Sequence, residues 1–236
     1  MFFWQKCCLS IVWKPFFGQH ADMIWLSYIY TIGALVLVIT FHEFAHAYTA
    51  WLLGDPTAKQ HGRVTLNPLA HLDVLGTLLV FLVGIGWGKP VPVNRAYFKR
   101  PLVHEALVAV AGPLMNLLIA LVVILPLRYF GQYLTYELGL LLQTIFDVSV
   151  ILFAFNMLPF PPLDGSKFLQ LIIPKRWQGK YQAYLANAGV YFMCFVVIDN
   201  FLISKYFGFS VLSFVVGWIV LLVKMLLYLG LGSSAV

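Results

Sequence analysis

The chain has 236 residues, of which 61% are hydrophobic and 10% charged, and its mean hydropathy is +0.88. A soluble domain has roughly 45–50% apolar and about 25% charged residues, so an ordinary soluble domain is excluded and little room is left for one beside a membrane part. The net charge of +6 does not indicate nucleic-acid binding, because the basic residues sit in short loops between apolar runs, where they report membrane orientation.

In chain order, residues 1–22 mix Phe2, Phe3, Trp4, Trp13, Phe16 and Phe17 with Lys6, Lys14 and Pro15. This composition predicts an interfacial segment, since no run there reaches the ~20 residues needed to span a bilayer. No small-residue cleavage site marks a removable signal peptide. Cys7, Cys8 and Cys194 form neither a disulfide framework nor a zinc spacing. From Met23 to Leu53 the chain is nearly continuous apolar sequence, and Gly54-Asp55-Pro56 is a helix stop. A polar stretch, Thr57 to Ala70, contains the alternating run Gly62–Leu66. The apolar segment Leu72–Trp87 and the proline-spaced Lys89–Asn94 follow. Ala106–Leu127 and Leu138–Leu163 are full-length spanning candidates. A basic loop then precedes two weaker ones, about 183–203 and 206–227. The expected fold is an all-α polytopic membrane protein, with an interfacial segment at 1–22, a three-helix core within 23–182 and two C-terminal transmembrane helices within 183–236.

His42-Glu43-Phe44-Ala45-His46 is an H-E-x-x-H motif inside an apolar helix. Its i, i+4 spacing puts both imidazoles on one face, where they can chelate one ion, and Glu43 lies beside that face. Three ionisable groups within five residues of a membrane helix are too expensive to be packing; they require partners in a protein interior. A catalytic zinc takes three protein ligands and keeps one position open. Candidates for the third are His61, His71, Asp73, His104, Glu105, Asp147 and Asp164. Asp164 fits best, because it follows the proline-rich break Pro159-Phe160-Pro161-Pro162 at a helix end. An ordinary Asp-Gly turn would look the same. Asp147 is an intramembrane carboxylate, expected to pair with Arg128 or to reach the interface.

With Ala111-Gly112-Pro113-Leu114-Met115-Asn116 in a second helix and Asn156-Met157-Leu158-Pro159-Phe160-Pro161-Pro162-Leu163-Asp164-Gly165 ending a third, the chain resembles the site-2 protease family of intramembrane zinc metalloproteases. Leu66-Asn67-Pro68, His71-Leu72-Asp73, Gly76-Thr77 and Gly88–Asn94 resemble a compact bacterial branch of it, and the resemblance runs from about residue 40 to 180. It implies one zinc ion held by His42, His46 and Asp164, with Glu43 as the proton-transferring catalytic residue. It also implies a transmembrane protein substrate cut within the lipid bilayer of a bacterial cell membrane, and no nucleic acid; a gating partner is unidentified. Asn116 and Asn156 match the family's amides. They would bind substrate backbone or the oxyanion, or else join packed helices; His71 is a lesser candidate for substrate binding, its expected place being that of a polar residue at the membrane surface. Only some ten residues separate Leu127 from Leu138, leaving no room there for the PDZ domain that many members carry. The rival class is an ion- or proton-coupled transporter, which would show paired inverted halves; none is visible.

A spanning substrate must unwind to be cut and regain backbone partners, for which short strands at Gly62–Leu66 or Val91–Val93 would offer an edge. The histidines lie near the end of one helix and Asp164 just past the end of another, so they meet only if both helices end on the same membrane face. Leu72–Trp87 is therefore expected to be re-entrant rather than a crossing. Lys59, Arg63, Lys89, Arg95, Lys99, Arg100, Lys167, Lys175, Arg176 and Lys180 then share one face, with Lys224 near it, against Lys6, Lys14, Arg128 and Lys205 opposite. This predicts five crossings, an outside N-terminus and a cytoplasmic active-site face.

Overall fold

The long apolar run around the histidine motif forms one unbroken helix, α1 (Ala21–Leu52), in the computed structural model. The structure describes residues 21–73, 76 and 88–230. The expected interfacial segment and most of the expected re-entrant segment therefore lie outside the described residues. Helix α1 stops at Gly54, whose φ of 103° suits glycine alone. Asp55 N–H bonds the Ala50 carbonyl and Gly54 N–H the Trp51 carbonyl, the paired bonds of a Schellman cap.

The chain beyond α1 folds back over this end. Helix α2 (Thr57–Gln60) closes on Gly62, whose φ is +68°, so residues 62–66 curl through a turn and bend instead of forming a strand. Val91–Val93 is likewise not a paired strand; the β pairing among the described residues is a single antiparallel bridge between Leu72 and Gly88. The two ends of the expected re-entrant segment thus meet. Buried Asp55 fastens the loop, accepting from Thr57 N–H at 2.9 Å and, 39 residues on, from Asn94 N–H at 2.7 Å. The start of the next long helix therefore lies at the same end of the molecule as the stop of α1.

That helix is α3 (Pro101–Tyr129), with proline in its first turn and Pro113 and Pro126 inside. Residues 130–135 connect it to α4 (Tyr136–Asn156), capped by Thr135, so no domain is inserted between them. Helix α4 ends at Asn156, earlier than the apolar pattern suggests, because Pro159, Pro161 and Pro162 cannot continue it. After it come α5 (Asp164–Leu169) and α6 (Lys175–Ile198), which runs through a π turn at Asp199–Ile203 into α7 (Ser204–Phe207), and finally α8 (Val211–Gly230). Because α6 starts at Lys175, the boundary expected after residue 182 falls inside a helix. Among the described residues, five helical stretches are long and apolar enough to cross a membrane: Trp25–Leu52, Pro101–Tyr129, Tyr136–Asn156, Ala188–Phe207 and Val211–Gly230.

Between lipid-embedded helices there is no hydrophobic driving force, so association rests on close packing of small residues and on polar contacts. Ala34 and Val38 of α1 meet Ile145 of α4, and Ala50 packs on Val108 of α3 and Phe98. Ala120 and Ile124 of α3, Phe146, Val150 and Ala154 of α4, and Val216, Val220 and Val223 of α8 form the largest cluster. The outer faces carry Trp25, Leu118, Phe214, Trp218 and Leu226, a surface suited to lipid.

Asp147, expected to pair with Arg128 or to reach the interface, is held by a lysine of α8. Its Oδ1 lies 2.5 Å from Lys224 Nζ of α8, and Oδ2 accepts from Gln143 at 3.1 Å. The sequence hid this partner because Lys224 is one turn and a half from a helix end and 77 residues away. Removing one member of a buried pair strands the other charge, whereas replacing both with apolar groups removes the problem. Lys224→Met is expected to destabilise the protein by about 3 kcal/mol, and Asp147→Leu/Lys224→Met to recover most of that, read by thermal unfolding in detergent. Equal stability of the single and double variants would show that the pair does not join α8 to the core.

Candidate active site

His42 and His46 lie one turn apart on the same face of α1, and both are buried. Their Nε2 atoms are 3.0 Å apart, and each lies 3.2 Å from Oδ2 of Asp164. Tetrahedral zinc with bonds of about 2.0–2.2 Å sets its ligand atoms roughly 3.3 Å from one another, close to this spacing. Among the described residues this is the group of three donors, all within 4.8 Å, able to hold a metal ion.

The outward ring nitrogens decide what the inward ones present. His46 Nδ1 lies 2.7 Å from the Val108 carbonyl. A carbonyl only accepts, so Nδ1 carries the proton and Nε2 keeps its lone pair. His42 Nδ1 lies 3.1 Å from the Asn116 amide. With the amide oxygen toward the ring, His42 takes the same tautomer, and the Asn116 oxygen gains the partner that it otherwise lacks in its buried position. Two imidazole lone pairs and a carboxylate oxygen then converge, an arrangement that repels itself unless a cation sits between them. The donor set fits zinc.

Two glycines make the convergence possible. A Cβ at Gly112 would overlap the His46 ring and lie 2.7 Å from Cε1 of His42, so only glycine lets α3 close on the histidine face. Pro113 follows inside the helix, lacking an N–H and crowding the preceding turn. A Cβ at Gly165 would overlap the carbonyls of Met157 and Leu158. The chain can therefore double back under the end of α4 and start α5 with Asp164 pointing at α1.

Glu43 follows His42 along α1 and is within electrostatic reach of His46 and of Arg63. The backbone of Gly88 passes beside it: a Cβ at 88 would lie 3.7 Å from Glu43 Oε1 and 3.2 Å from the His71 carbonyl. The other candidate ligands are engaged elsewhere. His61 is exposed and bonds the Thr57 carbonyl; Asp73 accepts from Gly76 N–H at 2.8 Å. His104 packs on Phe98, and Glu105 pairs with Arg95 at 2.5 Å.

His71 is not a surface residue but fully buried, with Nε2 2.8 Å from the Thr65 carbonyl; it braces the loop over the site. Asn116 touches His42, and Asn156 Nδ2 bonds the Leu152 carbonyl of its own helix. Sequence reasoning missed the Val108 carbonyl, which leaves no trace in residue identity. It also left Arg63 and Gly112 without a role, although Gly112-Pro113 in an apolar helix marks a close approach.

These contacts predict that Asn116→Ala weakens zinc binding by about 10–100-fold, and that Gly112→Ala abolishes stoichiometric zinc while leaving the helices intact. Chelator competition and circular dichroism measure both. Unchanged affinity in either variant would contradict the described packing of α3 on the histidines.

Comparison with known proteins agrees with this geometry. The profile of Peptidase family M50 matches residues 126–198, the stretch that includes α4 and Asp164. The Bacillus subtilis protein named "Putative zinc metalloprotease YwhC" is 40% identical over 152 residues, covering 61% of this chain and 69% of that protein. "Putative zinc metalloprotease Rip2" of Mycolicibacterium smegmatis is 31% identical over 59% of this chain and 57% of its own length; the chain thus spans little more than half of that relative. "Putative zinc metalloprotease MJ0611" of Methanocaldococcus jannaschii is 30% identical over 69% of this chain and 80% of its own. No solved structure matches. A transporter is not what these relatives are named for, and the donor set suits a resident metal. The chain belongs to peptidase family M50, the site-2 protease family, and is a multi-pass membrane zinc metalloprotease.

Proposed function

We propose that this protein hydrolyses a peptide bond in or near a transmembrane segment of a membrane-protein substrate. In this reading His42, His46 and Asp164 hold one zinc ion and Glu43 is the catalytic acid–base. One observation carries it: three lone-pair donors converge beside a carboxylate within an apolar spanning helix. His42 lies ten residues before the end of α1 at Leu52, roughly 15 Å along the helix axis, and this reading puts the reaction within the bilayer.

Zinc held there supplies Lewis-acid polarisation of the scissile carbonyl and acidifies water. Glu43 accepts the proton of the attacking water and returns it to the departing amine. Val108 and Asn116 keep the protons of His46 and His42 on Nδ1, so that both Nε2 lone pairs stay directed inward. A substrate helix must unwind before its carbonyls can be reached. Of the two edges considered, 62–66 is curled away, whereas the chain after Gly88 runs on from beside Glu43; Val91–Val93 is the edge that a substrate segment would join.

Glu43→Gln is expected to keep the fold and stoichiometric zinc and to lose cleavage of a transmembrane substrate by at least about 100-fold, the scale of general acid–base catalysis. Single-turnover cleavage with metal analysis tests this, and full activity would rule out the assigned role. The active-site face is proposed to be cytoplasmic in a bacterial cell membrane, on the distribution of Lys and Arg. Gln60→Cys and Lys99→Cys are then both labelled from the cytoplasmic side of inverted vesicles; labelling from opposite sides would overturn the topology.

A further inference from the structure

One buried charge beside Glu43 has no part in the chemistry above. Arg63 sits in the turn after α2, 3% exposed, with its backbone N–H on the Ala58 carbonyl at 2.9 Å. One terminal nitrogen of its guanidinium donates to the Lys89 carbonyl, while Nε has no hydrogen-bond partner. It forms no ion pair among the described residues. The carboxylate that it feels is that of Glu43. A guanidinium carries five donors and cannot lose its charge, so burying it with one carbonyl and no counter-ion in contact is costly unless a further acceptor arrives.

The loop fixes where that acceptor would be. Lys89, whose carbonyl takes the guanidinium, also donates its N–H to the His71 carbonyl at 2.8 Å. The residue before it, Gly88, lies against Glu43. Arg63 is thus held from both sides of the loop, at the lip where an unwound segment would lie. A transmembrane substrate is apolar in its side chains, but unwinding strips its carbonyls of helical partners, and each must find a donor in a water-poor setting. An arginine fork suits that need better than an ammonium, because its donors are fixed in a plane and less strongly hydrated.

We propose that Arg63 is a substrate-positioning residue whose unpaired Nε–H takes a backbone carbonyl oxygen of the unwound substrate segment beside Glu43. The inference rests on the peptidase reading and extends it to a residue outside the metal site. Arg63→Lys separates this role from simple bracing of the loop, since an ammonium can still donate to the Lys89 carbonyl but offers no Nε–H. The full chain in lipid nanodiscs is assayed with a synthetic apolar transmembrane peptide. Cleavage is followed in the active protein and binding in the Glu43→Gln background.

Arg63→Lys is expected to keep zinc content and the unfolding midpoint. It raises KM, and the Kd of the peptide for the Glu43→Gln protein, by about tenfold or more, the scale of a hydrogen bond to a charged group. kcat stays near that of the unsubstituted protein, the signature of lost uniform binding. Unchanged KM and Kd in Arg63→Lys would reduce Arg63 to a loop brace and overturn the proposal. Loss of zinc in Arg63→Lys would overturn it too, by placing the effect in the metal site. If instead the Glu43→Gln protein cleaves as fast as the unsubstituted one, the peptidase reading itself fails, whatever Arg63 does.

Discussion

The mutual repulsion of two imidazole lone pairs and a carboxylate oxygen, 3.0–3.2 Å apart in a membrane interior, is the constraint around which this structure is built. Burial of the two histidines leaves little screening, and a divalent cation at their centre, or a proton on one imidazole, relieves it. Everything nearby serves to hold the three donors in that position. Gly112 lets α3 come near enough for Val108 and Asn116 to fix both ring tautomers. Gly165 lets the chain turn under α4 so that Asp164 faces α1. The Schellman cap at Gly54 and the Asp55 bonds to Thr57 and Asn94 return the chain to the same end of the molecule. The metal centre therefore joins α1 to the turn after α4 with α3 as its backing, and a change in any of the three contacts is felt at the other two.

The membrane sets how the remaining charges are handled. Asp147, midway along α4, and Lys224, in the C-terminal half of α8, form an ion pair. Asp199, fully buried, is satisfied by Ser210 and by the backbone N–H groups of Val211 and Leu212, which it caps. Intramembrane polar groups are tolerated where they find such partners. Arg63 stands apart because its partners are incomplete, and it lies beside the catalytic carboxylate. That combination is the ground on which Arg63 is proposed to receive substrate.

Much of this was legible in the sequence because the chemistry is strongly local. His42, Glu43 and His46 lie within five residues of one helix, and the glycine and prolines around Asp164 announce a turn. The five helices among the described residues that are long and apolar enough to cross a membrane correspond to apolar runs in the sequence. The misses are non-local or carried by backbone. Lys224 looked like a residue near the basic face because its partner is 77 positions away. His71 looked interfacial because nothing in its neighbours reveals that Thr65 and Lys89 close over it. The alternation at Gly62–Leu66 imitated a strand, but Gly62 at positive φ turns the chain, and a period of two over five residues could not outweigh that. Asn116 was read either as a substrate contact or as a join between packed helices; it stands against His42, and which of the two it would be depends on how α3 is rotated.

The central claim is that one zinc ion is shared by two imidazoles and one carboxylate, and zinc-edge X-ray absorption of the purified full chain tests it most directly. The expected result is a single zinc per chain at low coordination number, with two imidazole ligands at about 2.0 Å, the remainder oxygen and no sulfur. A six-oxygen shell, or a first shell without paired imidazole scattering, would contradict it.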